Sequence, residues 1–185
     1  MLKLVTPPAI EPITASMAKL HSRIDQDLED SLIENCISSG RIMAEDFQNR
    51  AYIERTYELY MDRAPGKMII LPMPPLIDVE SITFWDEADI GHVVDPTDYY
   101  VDTVSEPARV ALKKDNKWPD VKLRPLNGVC VRFKAGYGPS VNAVPKNVQD
   151  ALLKYVTYRY FNREAEFEGA PERVKKAFYN SLWSD

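Results

Sequence analysis

The residues of this chain that could perform chemistry do not form a recognisable catalytic or metal-binding motif. Its two histidines, His21 and His92, lie far apart in the sequence, and each has one carboxylate nearby, Asp25 and Asp95 respectively. A metal site or an acid–base pair needs several such groups that converge on one point. We therefore expect no catalytic residue, no metal site and no cofactor, and interpret both histidines as surface or hydrogen-bonded side chains.

Two acidic segments match known motifs only in part. Asp86-Glu87-Ala88-Asp89 spells the acidic box of a helicase, but the chain lacks the phosphate-binding loop that such a motor requires. Asp25-Gln26-Asp27 begins like a calcium loop, yet Asp30 and Cys36 occupy the positions where that loop needs glycine and glutamate. These departures favour a non-enzymatic protein, and an enzyme built on the two histidines is the weaker hypothesis.

Composition restricts the class of protein further. The 185 residues are 45% hydrophobic, enough for one sizeable core and most simply a single domain. A net charge of −5 argues against a protein that coats DNA. The longest apolar run, Met68–Ile77, contains three prolines and is too short to span a membrane. The N-terminus does not have the pattern of a secretory signal, so we expect synthesis in the cytoplasm, with Cys36 and Cys130 as buried thiols.

The periodicity of apolar residues changes twice along the chain. It is helical over about residues 14–50, alternates as in strands over about 52–138, and is helical again over about 145–183. The central part contains five or six short strands, and the Pro65-Gly66 turn predicts that Tyr57–Met61 and Met68–Leu71 pair as a hairpin. We predict an α+β fold, in which the terminal segments form a helical bundle and the centre forms a mostly antiparallel β insertion.

Local signals place the helices more closely. Thr14 is a good N-cap for a short first helix, and a second helix is predicted from Asp25, with an apolar face that begins at Leu28. Gly40 within that helix indicates close helix packing or a kink. The helix after Pro145 is so densely apolar that we expect it to be central and to pack against the second helix.

Charge is segregated within the β-rich part. Eight acidic residues and no lysine or arginine lie between Leu76 and Asp102. Between Ser105 and Lys134 there are eight basic residues and three acidic ones. Neighbouring strands could pair these charges within one chain. Alternatively, the acidic segment of one subunit could meet the basic segment of the next and close a ring. The candidate residues for that contact are Asp86, Glu87, Asp89, Lys113, Lys114, Lys117 and Arg124.

Several short motifs follow one another in an order that resembles a known family. They are Leu4–Thr14, Leu20–Asp25, Asp30–Ile33, Arg50-Ala51, Tyr57–Leu59, Leu71–Leu76, Tyr99–Asp102, Arg124-Pro125, Val131–Gly138, Val144-Pro145 and Tyr160–Glu164. Together they resemble the head-tail connector, or head-completion adaptor, proteins of tailed bacteriophages. The resemblance extends over nearly the whole chain, and it is the shared order of the motifs that makes it specific.

The resemblance implies a structural virion protein at the capsid vertex, made in the cytoplasm of the bacterial host. Members of the family form a ring, usually of twelve subunits, under the portal protein. The ring extends the DNA channel without reading sequence and supports the next connector, stopper or tail protein. Docking on the portal is expected through the last helix, at positions Val174, Phe178, Leu182 and Trp183. The alternative is a tail or baseplate module that does not contact the portal.

Overall fold

The protein has the α+β architecture that the sequence predicts. The computed structural model describes residues 1–164, 170 and 172–183, apart from the side chains of residues 174, 177 and 181–183. The chain divides into two compact units, each built from two separate segments. One unit contains residues 1–9 and 54–138, and the other contains residues 10–53 and 139–185. We call them the β unit and the helical unit.

Four helices are described in the helical unit: α1 (Ala15–Ser22), α2 (Asp30–Gln48), α3 (Lys146–Phe161) and α4 (Glu172–Trp183). The Thr14 hydroxyl accepts a hydrogen bond from the Met17 amide at 3.1 Å, which confirms the predicted N-cap. The packing of α2 against α3 is also confirmed. The core of this unit contains Ile33, Ile37, Leu152 and Phe178, all nearly or fully buried.

The start of α2 corrects the sequence analysis. The helix begins at Asp30, five residues after the predicted start at Asp25, and residues 23–29 form a connection. Arg23 there has a left-handed backbone with φ of 55°, a conformation that ends a helix. Because Leu28 precedes the helix, it is 92% exposed and does not belong to the buried face to which the sequence assigned it.

The described strands of the β unit form two antiparallel sheets. The larger sheet has the order β1-β2-β8-β4-β5, and its strands are β1 (Leu2–Thr6), β2 (Arg55–Met61), β8 (Val129–Ala135), β4 (Leu76–Trp85) and β5 (Gly91–Val93). Alternate residues of β8, from Val129 to Ala135, are buried, so this sheet has one apolar face. β1 and β5, its two edge strands, were not predicted.

The smaller sheet has the order β3-β7-β6, with strands β3 (Met68–Leu71), β7 (Ala108–Leu112) and β6 (Tyr99–Asp102). The predicted hairpin between β2 and β3 is therefore wrong, because β3 pairs with β7 in this sheet while β2 pairs with β1 and β8 in the other. The turn residues Pro65-Gly66 allow the chain to leave β2, but they do not determine which strand β3 meets.

Candidate assembly surfaces

The acidic segment Asp86–Asp89 is a tight turn between β4 and β5. One carboxylate oxygen of Asp86 accepts hydrogen bonds from the amides of Ala88 and Ile90, at 2.9 and 3.0 Å. Its other oxygen lies 2.8 Å from Nε2 of His92. The hydrogen bond to His92 and those to the backbone hold the pKa of Asp86 below its usual range. Asp86 in this acidic segment therefore stabilises the turn between β4 and β5.

Most of the segregated charges are paired within the chain. Glu87 contacts Lys122 at 2.9 Å, and Asp89 contacts Arg124 at 3.2 Å. On the open face of the larger sheet, Arg132 lies between Glu58 and Glu80, at 3.2 and 2.8 Å. Lys134 also reaches Glu80, and Arg109 reaches Asp102. The pairs on the sheets follow the cross-strand alternative that the sequence left open, whereas Glu87 and Asp89 lie in a turn and pair with residues of the loop before β8.

Three lysines in the loop after β7 are arranged differently. The ammonium of Lys113 lies 5.1 Å from the centre of the Tyr100 ring, a cation–π contact. Lys114 and Lys117 are exposed and make no hydrogen bond or ion pair with any residue that the structure describes. Among the predicted intersubunit residues, these two lysines are the ones without a partner in the described part of the chain, and the role of all seven residues in a ring stays a prediction.

Of the four predicted docking positions in α4, one side chain is described. Phe178 is fully buried, and its ring lies 5.6 Å from that of Tyr155 on α3. Val174, Leu182 and Trp183 belong to the same helix, but their side chains lie outside the described residues. Phe178 holds α4 on the rest of the helical unit, so it is not presented at the surface. Docking on the portal through this helix stays a prediction.

A buried ionic network attaches the segment before α1 to α2. Arg41 donates to Glu11 at 2.7 Å and to Glu45 at 2.9 Å. Glu45 is nearly fully buried, and its second oxygen accepts the amide of Tyr52 at 2.9 Å. Each charge is paired and hydrogen-bonded, which is the condition under which a buried ion is tolerated.

The two histidines stand in separate local environments. Nδ1 of His21 lies 2.9 Å from the Thr157 hydroxyl in the helical unit, whereas His92 belongs to the turn in the β unit. In the described part of the chain, no group of three or more histidine, cysteine, aspartate or glutamate residues is arranged to hold a metal ion. None of the described helices is both long enough and apolar enough to cross a membrane.

Comparison with known proteins identifies the fold. No protein-family model matches the chain, and no curated protein matches it. A chain from the neck of an empty gene transfer agent (GTA) particle, computed with C6 symmetry, is similar with a TM-score of 0.78 and 20% identity, over 98% of this chain and 94% of that one. At this level of identity the likeness establishes a shared fold.

Two further structures have the same fold. A chain of the native gene transfer agent virion has a TM-score of 0.76 and 20% identity, over 97% of this chain and 94% of that one. A chain from the neck of the native GTA particle, computed with C12 symmetry, has a TM-score of 0.72 and 19% identity, over 98% and 94% of the two chains. The match covers both units of this protein.

Proposed function

We propose that this protein is a structural component of the neck of a phage-like particle, where it acts as a head-tail adaptor. The observation that carries the proposal is the similarity of nearly its entire length to chains from particle necks. The order of short motifs along the sequence supports the same assignment. A neck component works by binding its neighbours, so its residues of interest are surface residues.

The proposed assembly is a ring of identical subunits, of twelve copies, beneath the portal. The C6 and C12 symmetry of the similar neck structures supports a ring. Such a ring uses one heterologous contact, in which two different surfaces of the subunit meet and the rotation closes. The portal would bind one side, in part through α4, and a downstream connector, stopper or tail protein would bind the other. Genomic DNA would pass through the centre without sequence-specific contacts.

The test is deletion of the gene from the genome that produces the particles, followed by electron microscopy of the products. The adaptor role predicts DNA-containing heads without tails, next to complete free tails, and recovery of joined particles when the wild-type gene is supplied. Missing or malformed tails would instead assign the protein to the tail or baseplate. Normal particles would contradict any essential role in the neck.

A further inference from the structure

The outer face of the small sheet carries an apolar row that no described residue covers. Met68 is opposite Ala111, and Ala111 is opposite Tyr100, so these side chains form one line across β3, β7 and β6. Ile70 extends the row along β3 and is 55% exposed, while the Tyr100 ring is 63% exposed. Exposed apolar side chains that line up in this way are typical of a contact surface.

Lysines border this row at one end of the sheet. The loop that follows β7, residues 113–117, contains three lysines and one aspartate. Lys113 lies over the Tyr100 ring, and Lys114 and Lys117 have no partner among the described residues. The small sheet therefore presents apolar side chains next to unpaired positive charge, and we call Met68, Ile70, Tyr100, Lys113, Lys114 and Lys117 the basic face.

A surface with the opposite character lies on the helical unit, at the connection between α1 and α2. Residues 19–30 contain four carboxylates and two cations. Lys19 is already paired with Asp27 and Asp30, whereas Asp25 is exposed and has no partner among the described residues. The other cation of this segment is Arg23. The segment as a whole is therefore negative.

The same connection also offers apolar contact area. Leu20 is 84% exposed and Leu28 is 92% exposed. Leu20 lines an open groove of about 560 Å³ together with Ile24, Asp25 and Asp27. The lining also includes Lys19, Arg23 and Asp30, so it combines apolar side chains with three carboxylates and two cations. This lining suits a partner that brings apolar side chains flanked by lysines. We call Leu20, Ile24, Asp25, Asp27 and Leu28 the acidic face.

We propose that the basic face of one subunit binds the acidic face of a second copy of this chain. The two faces match in charge and in apolar character, and they belong to different units, so the contact is heterologous and can repeat around a ring. This inference rests on the proposed function and specifies which surfaces join neighbouring subunits. It replaces Asp86, Glu87 and Asp89 as the acidic partner, because all three of those residues are paired within the chain, whereas the acidic face contains Asp25, which has no partner among the described residues.

Duplex DNA is the other partner that a cluster of lysines could attract. The apolar row argues against it, since Met68 and Ile70 offer nothing to a phosphate group. Asp102 and Arg109 lie on the same outer face but pair with each other, so they add no net positive charge that would attract a polyanion. A second protein copy uses both the apolar and the charged part of the basic face.

The experiment is a charge swap between the two faces of the full-length protein, with the mass of the assembly measured by sedimentation and native mass spectrometry. One variant carries Lys114→Glu and Lys117→Glu, and the other carries Asp25→Lys and Asp27→Lys. In each variant alone, both faces have the same sign, so we expect self-association to weaken at least about tenfold. Mixed in equal amounts, the two variants should assemble again, with alternating subunits.

A third variant that carries all four substitutions should also assemble, because its two faces are again opposite in sign. A matched control, Lys3→Glu with Lys176→Glu, changes the net charge by the same amount as the Lys114→Glu and Lys117→Glu variant, at exposed sites that belong to neither face, and should leave assembly unchanged. Circular dichroism of each variant establishes that it is folded before its mass is interpreted.

Three results with the variants would overturn the proposal. One is that the variant with Lys114→Glu and Lys117→Glu assembles like the wild type. This result would refute the contact between the two faces but not the proposal of a ring. Another is that the mixture of variants fails to assemble, although the control does. A third is that the lysine substitutions abolish binding of duplex DNA without affecting self-association, which would assign the basic face to nucleic acid. If the wild type itself stays monomeric at its highest soluble concentration, the contact is refuted in solution, and the gene deletion decides separately whether the neck assignment stands.

Discussion

Position 40 is where the helical unit needs the smallest possible residue. A Cβ atom built on Gly40 would lie 2.6 Å from Cδ1 of Tyr155, whose side chain is buried between α2 and α3. Alanine would gain about 1 kcal/mol of helix propensity, but overpacking of a well-filled core costs about 1–3 kcal/mol. The clash at 2.6 Å is with a ring atom near the root of the side chain, so we place the cost of overpacking in the upper part of that range, about 2–3 kcal/mol, which exceeds the gain in helix propensity.

We predict that Gly40→Ala lowers the free energy of unfolding by about 1–2 kcal/mol, measured by urea denaturation. Gly66→Ala is the matched control, since no atom lies within 4 Å of the position its Cβ would take. That variant should unfold within about 0.5 kcal/mol of the wild type. Equal stability of the Gly40 variant and the wild type would show that α2 and α3 are less closely packed than described.

The buried network around Arg41 leads to a second prediction about the free energy of unfolding. Glu45→Ala removes a buried carboxylate that pairs with Arg41 and accepts the amide of Tyr52, so we expect a loss of about 3 kcal/mol. Glu11→Ala removes a partner whose side chain is 31% exposed, and should cost about 1 kcal/mol. Urea denaturation of both variants tests whether Glu45→Ala lowers the free energy of unfolding more than Glu11→Ala does. A larger loss of stability in Glu11→Ala would contradict the prediction.

Single residues also mark the limits of sequence-based prediction. Thr14 and Gly40 were interpreted correctly, because a helix cap and a close helix contact are local requirements that one residue type satisfies. Leu28 was assigned wrongly to a buried helix face. Its spacing to Leu32 is helical, but the helix starts at Asp30, and no local signal separates Asp25 from Asp30 as the first residue.

Among the elements, the turn between β4 and β5 depends on one ionised carboxylate. Because the fold lowers the pKa of Asp86, this group stabilises the turn at every pH above its unfolded pKa. That contribution is lost as the pH falls through the lower, folded value. We therefore predict that the turn is intact at neutral pH and loosens only below about pH 4.

The amide resonances of Ala88 and Ile90 report this transition directly, because both amides donate to Asp86. They should shift together as the pH is lowered. Asp86→Asn keeps a side-chain oxygen but does not titrate, so the shift should disappear in that variant. If the two amide resonances of the Asp86→Asn variant still shifted at low pH, another group would be responsible for the titration.

A single sequence predicts where strands lie better than it predicts which strands pair. The sequence predicted five or six short strands, because the alternation of apolar residues is a local pattern, and the structure describes eight. The pairing of β3 with β7 instead of β2 depends on which buried faces fit together, and Ile69 opposite Val110 is an example. β5 has only three residues, too few for a periodic pattern to appear.

For the whole molecule, the sequence predicted the α+β class and the position of the β-rich segment. The nine N-terminal residues joined that segment unexpectedly, because β1 lies at the edge of the larger sheet, next to β2. The prediction of a single domain remains a prediction. Of the seven residues proposed for intersubunit contacts, Asp86, Glu87, Asp89 and Arg124 are hydrogen-bonded or ion-paired within their own chain, and Lys113 contacts the Tyr100 ring. Charge segregation along a sequence cannot distinguish these pairs from intermolecular ones.

The most direct measurement is the native mass of the protein after mixing with the portal protein of the same particle. A neck adaptor is predicted to form a discrete complex with one copy per portal subunit. A mixture in which portal and protein keep their separate masses would contradict the adaptor assignment and favour a tail or baseplate component.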